Sequence, residues 1–321
     1  MRGISEQAAE LRKIWGGFWS SRVILTANNY RVFDYLKSAR KAAALAAVLK
    51  TDRRATEILL DALTGLGLLN KASGRYTNTS LANRFMTSDS PYYQGDIIRH
   101  ADALWKNWSG LDEVMRTGNP HHVAHDHPSF IKGMHDLAVL KARKVVKTVG
   151  LQGVKKALDL GGGPGTYSLE MARKGVSVTL FDRPETIEIA RSVIRKAGKT
   201  GISFLPGDFL HDDIGKGYDL VFISQVLHSC SEREARTVIR KSMAALDPGG
   251  RVAVQEFSLS KDRAHPVQGA LFSVNMLVNT PAGRCYSPYE IRKWLSTAGF
   301  RDIGVTTMDD AVLVVGKKTS R

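Results

Sequence analysis

Cysteine is nearly absent: Cys230 and Cys285 are the two in 321 residues. Two thiols cannot build a disulfide framework, and their scarcity suits a reducing cytoplasm. No apolar run approaches the roughly 18 residues needed to span a bilayer as a helix. The opening residues, MRGISEQAAELRKIW, lack the apolar centre of a secretory signal. A cytoplasmic chain without an integral membrane segment is therefore expected. Internal repeats are absent, and so is a dense basic block. The formal net charge of +15 divides into an excess of nine before Leu151 and six after it, so it carries little weight as a sign of nucleic acid or membrane partners. The length permits two domains, and the composition is that of an ordinary globular protein.

What is present begins with helices. Ile4, Ala8, Leu11, Ile14 and Trp15 recur at helical spacing. Val23, Ile24, Ala27, Tyr30, Val32, Phe33 and Leu36 continue the pattern. Lys41–Lys50 and Thr51–Leu69 read as two further helices, with Asp52 as an N-cap and glycines weakening the second near its end. A hairpin about Gly74 follows. Helix, helix, hairpin is a winged-helix pattern. Arg53, Arg54 and Lys71 would serve DNA binding, but the alanine-rich helix Lys41–Lys50 favours close packing and dimerisation, and Ile58, Leu59, Leu60 and Leu63 replace polar base-reading side chains. Pro91–Gly118 reads as a helix ended by Asn119-Pro120. His121, His122, His125 and His127 then crowd seven residues. Without a cysteine, and between Pro120 and Pro128, their spacing fits no zinc pattern, and a polar loop at the domain junction is expected. Phe130–Val149 reads as one long helix.

From Val154 onward strand and helix alternate, the signature of an α/β fold with a mostly parallel, doubly wound sheet. Strands are predicted at Lys156–Leu160, Ser177–Asp182, Ile202–Pro206, Tyr218–Gln225 and Gly250–Phe257, with a last one over 310–316. Helices are predicted at Tyr167–Lys174, Glu185–Ala197 and Glu232–Leu246. The first strand runs into Gly161-Gly162-Gly163-Pro164-Gly165. A dinucleotide fingerprint needs Gly-x-Gly-x-x-Gly or Ala, and here the last position is Thr166 or Ser168. The shorter Gly161-x-Gly163-x-Gly165 spacing is typical of S-adenosylmethionine sites, which hold no pyrophosphate. Asp182, at the end of the second strand, can accept from both ribose hydroxyls. After the third strand, Asp208 can accept from the adenine amino group while Phe209 packs on the base.

Together these stretches resemble the dimeric small-molecule O-methyltransferases that include the plant caffeic acid and animal acetylserotonin enzymes. The likeness spans nearly the whole chain: the helical start, Phe130-Ile131-Lys132-Gly133-Met134, Leu158-Asp159-Leu160-Gly161-Gly162-Gly163, Phe181-Asp182-Arg183-Pro184, Gly207-Asp208-Phe209 and Asp247-Pro248-Gly249-Gly250. It implies a Rossmann-like class I methyltransferase domain over 151–321, a winged-helix dimerisation domain over 1–90, and between them a helical segment, 91–150, that lines the substrate pocket. It further implies a homodimer, with Arg183 and Ser224 beside the cofactor; Ser224 stands where plant relatives have Lys. Met134 falls where the family packs a methionine on its substrate, and Phe272, Met276, Asn279 and Tyr286 fall in the segment lining an apolar acceptor pocket.

His228 occupies the place of the family's general base, at a carboxyl end of the sheet. A sulfonium is an activated methyl donor, so the remaining tasks are to align an acceptor oxygen and take its proton. A phenol of pKa about 10 is mostly protonated at neutral pH, and an imidazole of ordinary pKa about 6.5 suits the transfer. Two departures stand out. Ser229 and Cys230 replace the Asp and Trp that follow the family's His, and Cys285 occupies the position of the Glu that usually stands behind it. A thiol orients imidazole poorly, so a weaker base, action through water, a more acidic acceptor or a carbon nucleophile are all consistent with these residues. Methylation of carbon and a non-methylating regulator are the competing readings. A nucleic-acid amino-methylase is disfavoured, because no Asp/Asn-Pro-Pro-Tyr/Phe run stands at the fourth strand.

Overall fold

The computed structural model describes residues 3–198 and 201–320, and the chain divides into two units, Met1–Ala103 and Leu104–Arg321. The first unit contains α1 (Ile4–Asn29), α2 (Val32–Tyr35), β1 (Arg40–Lys41), α3 (Ala42–Leu49), α4 (Arg53–Gly65), β2 (Leu69–Ala72), β3 (Arg75–Asn78) and α5 (Ser80–Phe85). Asp52 caps α4, its carboxylate accepting from the Ala55 N–H at 2.7 Å. The turn between β2 and β3 uses Ser73 and Gly74, both at positive φ, as a two-residue hairpin requires. With β1 the hairpin forms a small antiparallel sheet in the order β1-β3-β2. Phe33, Leu36, Leu45, Leu60, Leu63 and Tyr76 close the core beneath it. The helical spacing of Ile4, Leu11, Ile14 and Trp15 does form a helix, yet all four side chains remain exposed, along with Phe18 and Trp19. Contiguous apolar exposure of this kind marks an interaction surface rather than a core.

Helix α6 (Gly95–Trp108) runs across the boundary between the units. The second unit continues with α7 (Leu111–Thr117), α8 (His127–Val139), α9 (Ala142–Val149), β4 (Lys156–Leu160), α10 (Thr166–Arg173), β5 (Ser177–Asp182), α11 (Pro184–Lys196), β6 (Ile202–Pro206), β7 (Tyr218–Ser224), α12 (Glu232–Ala245), β8 (Leu246–Phe257), α13 (Val267–Asn279), α14 (Pro288–Thr297), β9 (Arg301–Thr307) and β10 (Ala311–Lys317). The seven strands order as β6-β5-β4-β7-β8-β10-β9. The first five are parallel, and β10 runs antiparallel to both of its neighbours. Strand order reverses between β4 and β7, the switch point at which sheets of this class bind ligands. Leu158, Leu160, Val221 and Ile223 bury one face against α12 and α14, and Ala157, Leu220 and Phe222 bury the other against α9 and α10. This is the doubly wound sheet expected from the alternation of elements.

Two long helices expected from the sequence are each broken. Pro91–Gly118 becomes α6 and α7, interrupted at Ser109-Gly110. A Cβ at Gly110 would lie 2.2 Å from the His121 imidazole, so the break admits that ring against the backbone. Phe130–Val149 becomes α8 and α9, interrupted at Leu140-Lys141, where the Lys141 N–H turns back to the Ala138 carbonyl at 3.0 Å. The second break re-aims Ala142, Val145, Val146 and Val149 onto the sheet. Among the described residues no helix is long and apolar enough to cross a membrane.

Truncating Leu220, fully buried in the sheet, is expected to cost roughly 2–5 kcal/mol. Met115→Ala, on a side chain that is 72% exposed, should stay within about 0.5 kcal/mol. Urea unfolding of the two variants checks the contrast.

Candidate active site

A cavity of about 320 Å³ opens at the carboxyl ends of β4, β5 and β7. Its floor is the glycine turn. Gly161 and Gly163 adopt positive φ of 69° and 54°. At Gly163 no atom lies within 4 Å of where a Cβ would stand, so the backbone there faces open space. The Gly163 N–H donates to one Asp182 carboxylate oxygen at 2.8 Å, and the Arg183 N–H donates to the other at 2.8 Å. Burial raises the Asp182 pKa, and these two bonds oppose the rise. Arg183, Phe209 and Ser224 also line the cavity. Ser224 donates to the Gln255 side-chain carbonyl at 3.0 Å.

Not every residue of the expected cofactor set reaches this cavity. The Asp208 carboxylate is engaged locally, accepting from the Leu210 N–H at 2.8 Å and lying 3.1 Å from the His211 ring. Partial burial would raise its pKa, but these contacts outweigh that and lower it. Asp159 lies beneath the turn, 1% exposed, and accepts from the Ser168 hydroxyl at 2.6 Å. Burial pushes its pKa up to about 6.

His228 forms the opposite wall. A single tight turn, Leu227–Ser229, follows β7 and carries the ring into the cavity lining. Its Nδ1 lies 2.7 Å from Oε2 of Glu256, a carboxylate that is 1% exposed. The other carboxylate oxygen accepts from the Leu227 N–H at 2.8 Å and the His228 N–H at 3.4 Å. A carboxylate can only accept, so the shared proton sits on Nδ1, and in the neutral imidazole the lone pair is then on Nε2. The expectation that Cys285 leaves His228 without a carboxylate is therefore corrected: the partner comes from the end of β8. The register that pairs Ser224 with Gln255 in the parallel strands sets Glu256 beside the turn. Glu256 left a mark in the sequence, as an acid following the apolar run Val252-Ala253-Val254 just before the chain leaves the sheet. Cys285 is buried, and burial raises its thiol to about 11.

On the acceptor side, Met134 lines the cavity together with Phe130 and Ile131 of α8. The Phe272 ring meets the His228 ring edge-on at 5.0 Å and packs on Phe257 at 4.0 Å. Met276 is buried nearby in α13. Tyr286 is 1% exposed, and its hydroxyl donates to the Cys230 carbonyl at 2.7 Å. Asn279 is committed to structure: its Oδ1 accepts from Asn107 at 2.7 Å, and its Nδ2 donates to the Asn275 carbonyl at 2.8 Å. None of Phe272, Met276, Asn279 and Tyr286 borders this cavity, so the expectation that this segment lines it is corrected.

Asn107, which the sequence reading did not single out, is a clamp. Its Oδ1 accepts from the Val123 and Ala124 N–H groups at 3.1 and 2.9 Å, and its Nδ2 also donates to the Ala124 carbonyl at 3.0 Å. These bonds hold the irregular segment 118–126, which carries most of the histidine cluster. His125 stacks between His122 and His127 at 5.3 and 5.7 Å, and burial and then the two neighbouring rings lower its pKa. His125 and His127 line the cavity, with His127 Nε2 lying 3.2 Å from the Thr186 hydroxyl. Among the described residues no group of three or more His, Cys, Asp or Glu side chains is placed to hold a metal.

Comparison with known proteins agrees with this geometry. A family model described as the O-methyltransferase domain matches residues 93–301, and one described as the O-methyltransferase dimerisation domain matches residues 13–88. The 3-hydroxy-5-methyl-1-naphthoate 3-O-methyltransferase of Streptomyces sahachiroi is 33% identical over 89% of this chain and 88% of its own. The acetylserotonin O-methyltransferase of Gallus gallus is 31% identical over 92% of this chain and 94% of its own. Among solved structures, human N-acetylserotonin methyltransferase in complex with SAM superposes with a TM-score of 0.89 at 26% identity, covering 99% of this chain and 100% of that one.

The buried Asp159 makes a pH prediction. Its folded pKa of about 6 lies above the unfolded value of 3.8, so its stabilising contribution is full below about pH 4 and is lost as pH rises through about 6. The span is about two pH units at about 1.4 kcal/mol each, on the order of 3 kcal/mol. Asp159→Asn, which cannot ionise, should gain stability relative to the parent by that order between pH 4 and pH 7. Denaturant unfolding of the cofactor-free proteins at both pH values measures it.

Proposed function

The chain belongs to the O-methyltransferase family and is an S-adenosylmethionine-dependent enzyme acting on small molecules, and from that premise we propose that His228 deprotonates a hydroxyl of a flat, largely apolar acceptor. The observation that carries the proposal is the 2.7 Å contact between His228 Nδ1 and the buried Glu256. Glu256 fixes the ring, leaves Nε2 as the acceptor for the hydroxyl proton, and stabilises the imidazolium that results. It supplies what Cys285 cannot. Phe130, Ile131 and the thioether of Met134, which line the cavity, suit a planar apolar ring. The hydroxynaphthoate and acetylserotonin named for two relatives agree with such an acceptor.

For the cofactor we assign close approach to the glycine backbone at Gly161 and Gly163, Asp182 with Arg183 to the ribose, Phe209 to the base and Ser224 to the adjoining edge. Asp208 contributes by bracing the loop that presents Phe209. The turn that faces open space at Gly163, the neighbouring carboxylate and the aromatic ring fit S-adenosylmethionine. When bound it supplies a methyl group activated by a sulfonium. The chain's own residues then hold the acceptor oxygen in line, exclude water and receive its proton.

The unit 1–103 is assigned to homodimer formation, with the exposed face of Ile4, Leu11, Ile14 and Trp15 covered by a second copy of the chain. Placing charge there as Leu11→Glu/Ile14→Glu should convert dimer to monomer, measured by light scattering after size exclusion.

His228→Ala is expected to lower kcat by about 10²–10⁴-fold, with cofactor affinity within about twofold of the parent. Glu256→Gln keeps the bond to the Leu227 N–H but not the charge, and should lower kcat while leaving the fold intact. Transfer from labelled S-adenosylmethionine to a hydroxynaphthoate probe, with the labelled position identified, tests both. Full turnover by His228→Ala would remove the base role, and label on carbon would replace O-methylation with C-methylation.

A further inference from the structure

A second cavity, of about 470 Å³, lies between α12 and α14 and shares no lining residue with the active site. Arg233, Arg236 and Arg240 stand at i, i+3 and i+7 on one face of α12, and all three line this groove. Trp294 and Thr297 of α14 form the facing wall. Glu232 is the one carboxylate among the lining residues, 3.6 Å from Arg236. Arg240 donates to the Thr237 hydroxyl at 3.0 Å, a neutral partner. Three cationic side chains therefore line the groove against one carboxylate. Its volume falls in the range of small-molecule sites, about 300–1,000 Å³, rather than of a flat charged face. Guanidinium groups are strong, fork-shaped donors for phosphate and carboxylate oxygens.

We infer that this groove binds a small dianion, matched to the two positive charges left after Glu232 is counted. Phosphate esters and dicarboxylates share that chemistry. The ligand would sit close behind the catalytic turn. Trp294 meets Tyr286 edge-on at 4.7 Å, and Tyr286 donates to the carbonyl of Cys230, the residue that ends the turn carrying His228.

The test is calorimetric titration of two probes, inorganic phosphate and succinate, into the chain saturated with S-adenosylhomocysteine, at constant ionic strength. One saturable site per chain for either probe is expected, and the probe that binds identifies the anion class. Arg233→Gln/Arg240→Gln should weaken that binding at least tenfold. Arg292→Gln/Lys293→Gln removes the same charge from exposed positions of α14 outside the groove and should leave it unchanged. No saturable binding of either probe overturns the inference. So does an equal loss in both double variants, because the effect would then be one of overall charge. Thermal melting of each variant confirms that it remains folded.

Discussion

A carboxylate sealed from water must be given donors, and Glu256 receives three: the Leu227 and His228 N–H groups and the His228 ring. That requirement organises the second unit. It obliges β8 to end beside the turn that follows β7, so the parallel register of the two strands cannot slip without stranding a charge. It also pins the backbone of the turn before the imidazole is placed. The ring is thus held twice, through its own nitrogen and through its peptide. A cysteine at position 285 is tolerable because the carboxylate comes from a strand rather than from the segment after α13.

The cofactor side follows a related logic with a different outcome. Asp182 is bound by two N–H groups, yet burial still raises its pKa. Asp159, beneath it, has one hydroxyl donor and is displaced further. Acidic groups gathered under a glycine turn cost stability in the absence of a cation. A ligand that carries positive charge would recover part of that cost on binding beside this cluster.

Much of this was legible in the sequence because it is local. The glycine spacing, the strand-end Asp182 and the Asp52 cap each depend on a few neighbouring residues, and the alternation of strand and helix from Val154 onward is a matter of periodicity. What was not legible is long-range. Glu256 and His228 are far apart in the chain and meet only through sheet register. Asn279 looks like a pocket residue by its place on α13, but its amide is claimed by Asn107 from a distant helix. The breaks at Ser109-Gly110 and Leu140-Lys141 interrupt patterns that read as continuous, because apolar residues recur on both sides and only tertiary packing shows that the two halves aim at different targets.

The Asn107 clamp makes one composite part of three stretches of chain. A single carboxamide joins α6, the segment that carries His122 and His125, and α13, which also carries Phe272. Trp108 adds a rivet, its indole N–H donating to Asn275 at 2.8 Å. Swapping acceptor preference between relatives is therefore not a matter of transplanting one loop. A chimera that imports residues 118–126 without a compatible residue 107 and residue 279 loses the bonds that hold the Val123 and Ala124 backbone. The unit of exchange is the clamp together with everything it grips.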